Sequence, residues 1–473
     1  MFTSSLNFMS RIRRVSRWVW FPGLVLALLS AGALQTIAGQ SRPNPATLTA
    51  PPSPPWIRDA VIYELNTRTF TKAGTFNAAI PRLDGLKDLG VTIIWLMPIH
   101  PIAELKKKGS IGSPYAVRDY YEVNPAFGTK ADFKRFVSEA HSRGLKVIID
   151  IVANHTGWDN VMMKTPSYYR RDAQGAIVSP YDWTDVAALN YNDAGLRKYM
   201  TDMLVYWVRE FDLDGFRCDV AGEVPTDFWE SARAAIEKVK PDIIMLAEAH
   251  KPELVTKAFH LDYSWPLHSA LSDVLANGQP ATRLREEWQG EVKEYPKGSL
   301  HLRFSDNHDE SRAIARFGAK GALAASAFMF TLDGVPLLYN GMEVGDITES
   351  GAPALFEKMD VFWDAALRRP EFPPFYKQLI AMRREHSALR AGTTEWIANS
   401  DQARVLTYRR RDSAEELVVA INMSNRPFMG TVEATGEYNE ITPQAARSRD
   451  IVSASLPAIS LDAWGVRVFR RVR

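Results

Sequence analysis

The sequence predicts an α/β protein: a closed (β/α)8 TIM barrel, with a small subdomain inserted after the third strand and an antiparallel β-sandwich at the carboxyl end. Three observations lead there. Eight apolar runs of strand length alternate with amphipathic helical patterns, an order that implies parallel pairing through right-handed crossovers. Several of those runs end in charged or polar residues, as buried parallel strands do when they deliver side chains at their carboxyl tips. Beyond about residue 392 the helical patterns stop and alternating strand-like runs take over.

In chain order, Arg11, Arg13, Arg14 and Arg17 precede an apolar stretch from residue 18 to about 34, with small residues at Ala31, Ala33, Ala38 and Gly39. Charged, apolar and small-residue parts in that order read as a secretory signal over 1–40. The apolar length also lies near the lower limit for a membrane anchor. The expectations are therefore export to a periplasmic or extracellular space with cleavage, or retention as an anchor, which is the one route to a membrane. Residues 41–55, rich in proline and polar residues, read as a stiff extended linker.

The barrel domain is expected over 56–391. Its strand-like runs are 60–65, 92–97, 146–152, 215–220, 243–247, 260–263, 300–304 and 335–339. Helical periodicity appears at 131–143, 195–211, 225–240 and 318–331, with a closing helix near 374–386. The connection from about 155 to 192 is longer than a barrel loop needs and rich in Tyr, Asp, Pro and Gly, so it reads as an inserted subdomain bordering a cleft. The sandwich domain, 392–473, shows strand patterns at 404–409, 416–422 and 465–470.

Composition narrows the function. With 473 residues, 46% hydrophobic and 24% charged, the chain has room for a large domain and a lesser one. A net charge of +2 without a basic stripe outside the amino terminus removes the electrostatic case for nucleic acid. Thirteen tryptophans and sixteen tyrosines suit sugar faces, although most such rings pack in cores. Cys218 is the single cysteine, so no internal disulfide can form. On a strand its side chain points away from those of Arg217 and Asp219, and a packed thiol is the natural reading.

Four segments carry chemistry: Asp150-Ile-Val-Ala-Asn-His155, Gly215-Phe-Arg-Cys-Asp219, Leu246-Ala-Glu248 and Phe304-Ser-Asp-Asn-His-Asp309. They set carboxyl groups at successive strand tips, as cleavage of a glycosidic bond requires. One carboxyl attacks or activates water, and another protonates the leaving oxygen. Arg217, on the same strand face as Asp219, is expected to hold that carboxyl ionised with a low pKa. Glu248 needs a raised pKa to serve as an acid, from partial desolvation and the nearby charge of Asp219.

These motifs, in this order, resemble the α-amylase superfamily of retaining glycoside hydrolases. The resemblance runs from about residue 56 to the end. It extends to Gly90-Val-Thr-Ile-Ile-Trp-Leu-Met-Pro98, Ser113-Pro-Tyr-Ala-Val-Arg-Asp-Tyr120 with Phe127-Gly-Thr129, and Gly334-Val-Pro-Leu-Leu-Tyr339 with Gly341 and Glu343. It implies Asp219 as nucleophile, Glu248 as general acid and base, and Asp309 as the carboxylate that stabilises the transition state. Tyr115, His155, Arg217 and His308 become substrate-binding residues, and Asp150 a support for Arg217 and Asp219. A retaining geometry would set the two reacting carboxyls roughly 5–5.5 Å apart. The chemistry needs no cofactor. Asn154 corresponds to a structural calcium ligand in many α-amylases, and Asp159, Asp172, Asp182 and Asp185 offer further oxygens, but no compact calcium loop is apparent. Val220-Ala-Gly-Glu223 lacks the Lys-His pair of typical α-amylases, and Ala188 stands where an acidic residue usually precedes Leu-Asn.

The implied function is hydrolysis of α-1,4-glucosidic bonds in starch-type glucans or maltooligosaccharides. Two alternatives stay open: a transglycosylase that passes the same intermediate to a sugar, and a non-catalytic membrane-anchored relative of the fold. Relatives of that last kind lack the full set of catalytic carboxylates. The sequence sets no oligomeric state.

Overall fold

The computed structural model describes residues 43–446 and 456–472. The expected signal or anchor over 1–40 lies outside the described residues. Among the described residues no helix is long and apolar enough to cross a membrane. Residues 48–50, within the expected stiff linker, lie against the barrel domain. Thr49 bridges Lys297, and the Ala50 amide donates to the Lys297 carbonyl.

Eight parallel strands close into a barrel: β1 (Ile62–Leu65), β2 (Ile93–Leu96), β3 (Lys146–Val152), β4 (Gly215–Asp219), β5 (Ile244–Ala247), β6 (Leu261–Tyr263), β7 (Leu300–Arg303) and β8 (Val335–Tyr339). Each strand neighbours its sequential partners, and β8 returns to β1. The interior is filled by Ile62, Ile93, Trp95, Ile148, Ile244, Leu246, Leu261, Leu302 and Leu337. Alternate residues face outward into a second, larger core beneath the helices. Cys218 belongs to that outer core and is fully buried, so the alternation puts Arg217 and Asp219 on the interior face as expected.

The surrounding helices are α1 (Leu83–Leu89), α2 (Lys130–Ser142), α3 (Ala194–Phe211), α4 (Thr226–Glu237), α5 (Trp265–Leu275), α6 (Thr282–Glu294), α7 (Ala313–Thr331) and α8 (Phe372–Glu385). Thr129 and Asp132 form a reciprocal capping box at the start of α2. Gly318, expected to start a helix, sits inside α7 at φ 72° and breaks it, so the long run follows that glycine. Only a 3-10 turn, Pro252–Thr256, joins β5 to β6. The strand that follows, β6, is only three residues long, which leaves it the weakest sequence pattern of the eight.

Gly215 opens β4 at φ 142°, and a Cβ there would lie 1.9 Å from the Ile244 carbonyl oxygen of β5. Only glycine lets the two strands approach at this point. Gly215→Ala is expected to destabilise the fold by about 3 kcal/mol, measured as an earlier denaturant midpoint with an unchanged slope.

The segment after β3 forms a small antiparallel pair, His155–Gly157 with Val186–Ala188, around two 3-10 turns. At the carboxyl end lie β9 (Thr393–Trp396), β10 (Val405–Arg411), β11 (Glu416–Asn422), β12 (Phe428–Thr431), β13 (Tyr438–Glu440), β14 (Ala458–Leu461) and β15 (Val466–Arg471). They make a five-stranded sheet ordered β9-β10-β11-β15-β13 and a β12-β14 pair. Val418, Ala420 and Phe469 of the first meet Phe428, Ile459 and Leu461 of the second in a separate core, a two-layered sandwich. The other face of the large sheet packs on the barrel's helices, with Trp396 against Trp288 and Phe328.

Candidate active site

Side chains of β2, β3, β4 and β6 and of the residue just beyond β5 converge on one guanidinium. Arg217 is fully buried. Its Nη1 donates to both oxygens of Asp150 at 3.0 Å and to Asp219 Oδ1 at 2.8 Å. Its Nη2 stands 3.0 Å from Glu248 Oε2. The Tyr263 hydroxyl and the face of Trp95 complete its surroundings. A planar, permanently charged fork can hold several carboxylates at once, as a lysine's point charge cannot.

Asp219 and Glu248 therefore share one counter-ion, and their environments separate them. Burial pushes the Asp219 carboxyl up to about 6, with Arg217 opposing the rise and the charges of Asp150 and Asp309 adding to it. The sequence-based expectation of a low value is corrected: desolvation outweighs the arginine. Burial pushes Glu248 further, to about 8, opposed by Arg217 and reinforced by Asp219 and Asp309. Asp150, also buried, rises to about 6. Of the three carboxyls around Arg217, Glu248 is pushed furthest up and holds a proton most tightly.

A backbone group fixes the acid. The Val220 amide donates to Glu248 Oε2 at 2.8 Å, and Val220 adopts a left-handed conformation, φ 45° and ψ 40°. A β-branched residue there is strained, and the turn it makes aims the N–H at the carboxyl. Side-chain patterns carry no sign of such a contact.

Asp309 is the most open of the group, with its side chain about one third exposed. Its Oδ2 lies 3.2 Å from His308 Nε2. Asn307 Oδ1 accepts from the Asp309 and Glu310 amides and shapes the turn that presents it. Tyr115 stacks on the His308 ring at 5.2 Å, and its hydroxyl lies 2.7 Å from His308 Nε2 and donates to Asp150 Oδ2. The structure thus brings Tyr115, Arg217, Asp219, Glu248, His308 and Asp309 into one network.

His155 sits at the edge of the inserted pair, buried, with its ring beside Asn154 and edge-on to Trp183. Burial holds its pKa down at about 4, so it is a neutral imidazole. Trp363 packs on Phe70 beneath the Arg82 guanidinium.

Three of the acids considered for calcium have protein partners, although Asp159 Oδ1 itself has none among the described residues. Asp185 pairs with Lys108 at 2.8 Å, Asp159 accepts from the Glu104 amide beside Arg118, and Asp172 caps its own turn. Among the described residues no group of three or more His, Cys, Asp or Glu is arranged to hold a metal ion. No step below uses a metal ion.

Glu64 was not among the residues read from the sequence as functional. It lies within an apolar strand, is fully buried, and bonds His308 Nδ1 at 2.5 Å. A lone acid in a run of Val, Ile, Tyr and Leu was the signal that could have found it.

The family model of the α-amylase catalytic domain matches residues 59–176 and 181–371. The chain is 29% identical to the α-amylase MalA of Haloarcula japonica, over 82% of this chain and 60% of that protein. It therefore spans about three fifths of MalA's length. It is 28% identical to a cyclomaltodextrinase of Geobacillus thermopakistaniensis, over 88% and 78%. The crystal structure of a maltogenic α-amylase, AmyB, of Thermotoga neapolitana superposes with a TM-score of 0.80 at 30% identity, covering 88% of this chain and 99% of that one.

Proposed function

The chain belongs to the α-amylase family, and from that premise we propose that it is a retaining hydrolase of α-1,4-glucosidic bonds in maltooligosaccharides or starch-type glucans. One observation carries the reading most: Asp219 and Glu248 share the Arg217 guanidinium while Glu248 keeps its proton the more tightly of the two. That asymmetry suits a nucleophile and an acid.

In this mechanism an Asp219 oxygen attacks the anomeric carbon as the C–O bond to the departing sugar breaks, giving a covalent glycosyl ester. Glu248 gives its proton to the leaving oxygen. Glu248, now a carboxylate, takes a proton from water, whose oxygen displaces Asp219 and restores the original anomeric configuration. Asp309, at the open side of the cluster, and His308 bind ring hydroxyls, and the negative charge of Asp309 stabilises the oxocarbenium-like transition state. His155 and Tyr115 contact the same sugar. The barrel domain over 56–391, with its insert at about 155–192, would carry this chemistry.

The relatives' names support the substrate class, since a cyclomaltodextrinase and a maltogenic amylase are among them. The pattern of residues 11–39 supports export, with or without an anchor.

The deciding experiment is a timed product profile on maltotriose, cyclodextrin, starch and pullulan, with anomeric configuration followed by NMR. Retained α-anomers shorter than the substrate are expected. A majority of products longer than the substrate would replace hydrolysis by transfer, and measurable maltotriose binding without turnover would remove catalysis altogether.

The active form has Asp219 ionised and Glu248 protonated, which fixes the sign of the pH dependence. On maltotriose, kcat/KM is expected to rise with pH as Asp219 loses its proton near 6 and to fall as Glu248 loses its own near 8. A flat profile between pH 5 and 9 would contradict this assignment.

A further inference from the structure

Glu64 is the one acidic residue of β1, and its side chain faces the barrel interior. Its strand neighbours are Trp95 on β2 and Tyr339 on β8. A buried charge there is costly unless paired, and its pairing is narrow. Oε1 meets His308 Nδ1 at 2.5 Å, while Oε2 has no protein hydrogen-bond partner among the described residues. Glu64 thus acts on the site through His308.

His308 is held from every side. Glu64 of β1 takes Nδ1. Tyr115, from the loop after β2, and its own neighbour Asp309 face Nε2 at 2.7 and 3.2 Å. Asp150 of β3 and Arg217 of β4 also act on it through their charges. A carboxylate only accepts, so Nδ1 must carry hydrogen. With a second carboxylate at Nε2, the doubly protonated ring satisfies both contacts.

We propose that Glu64 is a positioning residue that keeps His308 a fixed cation, so that Nε2 is always a donor toward the sugar hydroxyls and Asp309. This deepens the glycosidase reading above and rests on it. Consistent with the geometry, the His308 imidazole is raised to about 9 against the cost of burial, with the charges of Asp309 and Glu64 the main causes and Arg217 opposing.

The consequence is testable because His308 is silent in the wild type. Its proton leaves above the pH at which Glu248 already shuts activity off near 8. Without the Glu64 charge, desolvation dominates and the His308 pKa falls, so that loss of the His308 proton becomes the limiting alkaline step. In E64Q the alkaline limb of kcat/KM on maltotriose is expected to move acidward by about one unit or more. Activity at pH 7.5 should fall about 3-fold for a shift of one unit and about 25-fold for two. E64D, which keeps the carboxylate, should keep the limb near its wild-type position. E64L, which matches the apolar neighbours, provides a second neutral variant should E64Q fold poorly. In H308N, adding E64Q should cost nothing further, since the only path of action is gone.

A limb that stays at the wild-type pH in whichever neutral variant folds, or losses that multiply in the H308N background, would overturn the proposal. A wild type inert on maltotriose refutes the glycosidase reading and this role with it. An active wild type with an unmoved E64Q refutes the role of Glu64 alone.

Discussion

Asp219→Asn is expected to lower kcat on maltotriose by about 10⁴-fold or more, with a much smaller change in KM. The amide is nearly isosteric, and its oxygen can still accept from Arg217 Nη1, where the carboxylate now bonds at 2.8 Å. Folding should therefore survive. The nucleophilic charge does not, and no ester can form at the anomeric carbon. Because the Asp219 charge is one of the causes that raise Glu248, its removal should also shift the alkaline limb of any residual activity toward acid. The loss should be equally severe with a good leaving group, since attack itself is missing. Full activity of the variant on maltooligosaccharides would end the assignment of Asp219.

Glu248→Gln is expected to cost about 10²- to 10⁴-fold in kcat on maltotriose, with a different dependence on substrate. A maltosyl fluoride leaves without a proton, so formation of the glycosyl ester should be largely spared. Its hydrolysis still needs a base, so the ester should accumulate on Asp219 and appear as a pre-steady-state burst and a mass increase of one maltosyl unit. The Val220 amide, 2.8 Å from Oε2, can donate equally well to the glutamine oxygen, which separates loss of the proton from loss of position. A variant impaired to the same degree on both substrates, with no burst, would assign Glu248 another role.

Much of this was legible in the residue pattern for a simple reason. Barrel strands must be apolar along their length, so a charge at the tip stands out. Arg217, Asp219, Glu248 and the Asn307-His308-Asp309 turn were found that way. Val147 to Val152 and Val335 to Tyr339 likewise gave their strands by composition alone, whereas the three-residue Leu261–Tyr263 strand offered little to read. Three things were hidden. The net sign of the Asp219 shift depends on desolvation against Arg217, a balance of magnitudes that spacing does not contain. The Val220 contact runs through a backbone amide. Glu64 was visible as an oddity in its strand, but its partner lies 244 residues away, and only the closed barrel brings the Glu64 side chain to that of His308 beyond β7.

Cys218 sits between Arg217 and Asp219 on β4, fully buried on the opposite face of the strand. As the chain's single thiol, it makes the molecule its own probe of opening. A disulfide reagent added to native protein can react only when β4 loses its cover, so the labelling rate counts excursions of the strand that carries the nucleophile. Substrate that holds the site closed would slow that clock, and the protection factor would report how firmly occupancy of the cleft is felt on the far side of the barrel wall.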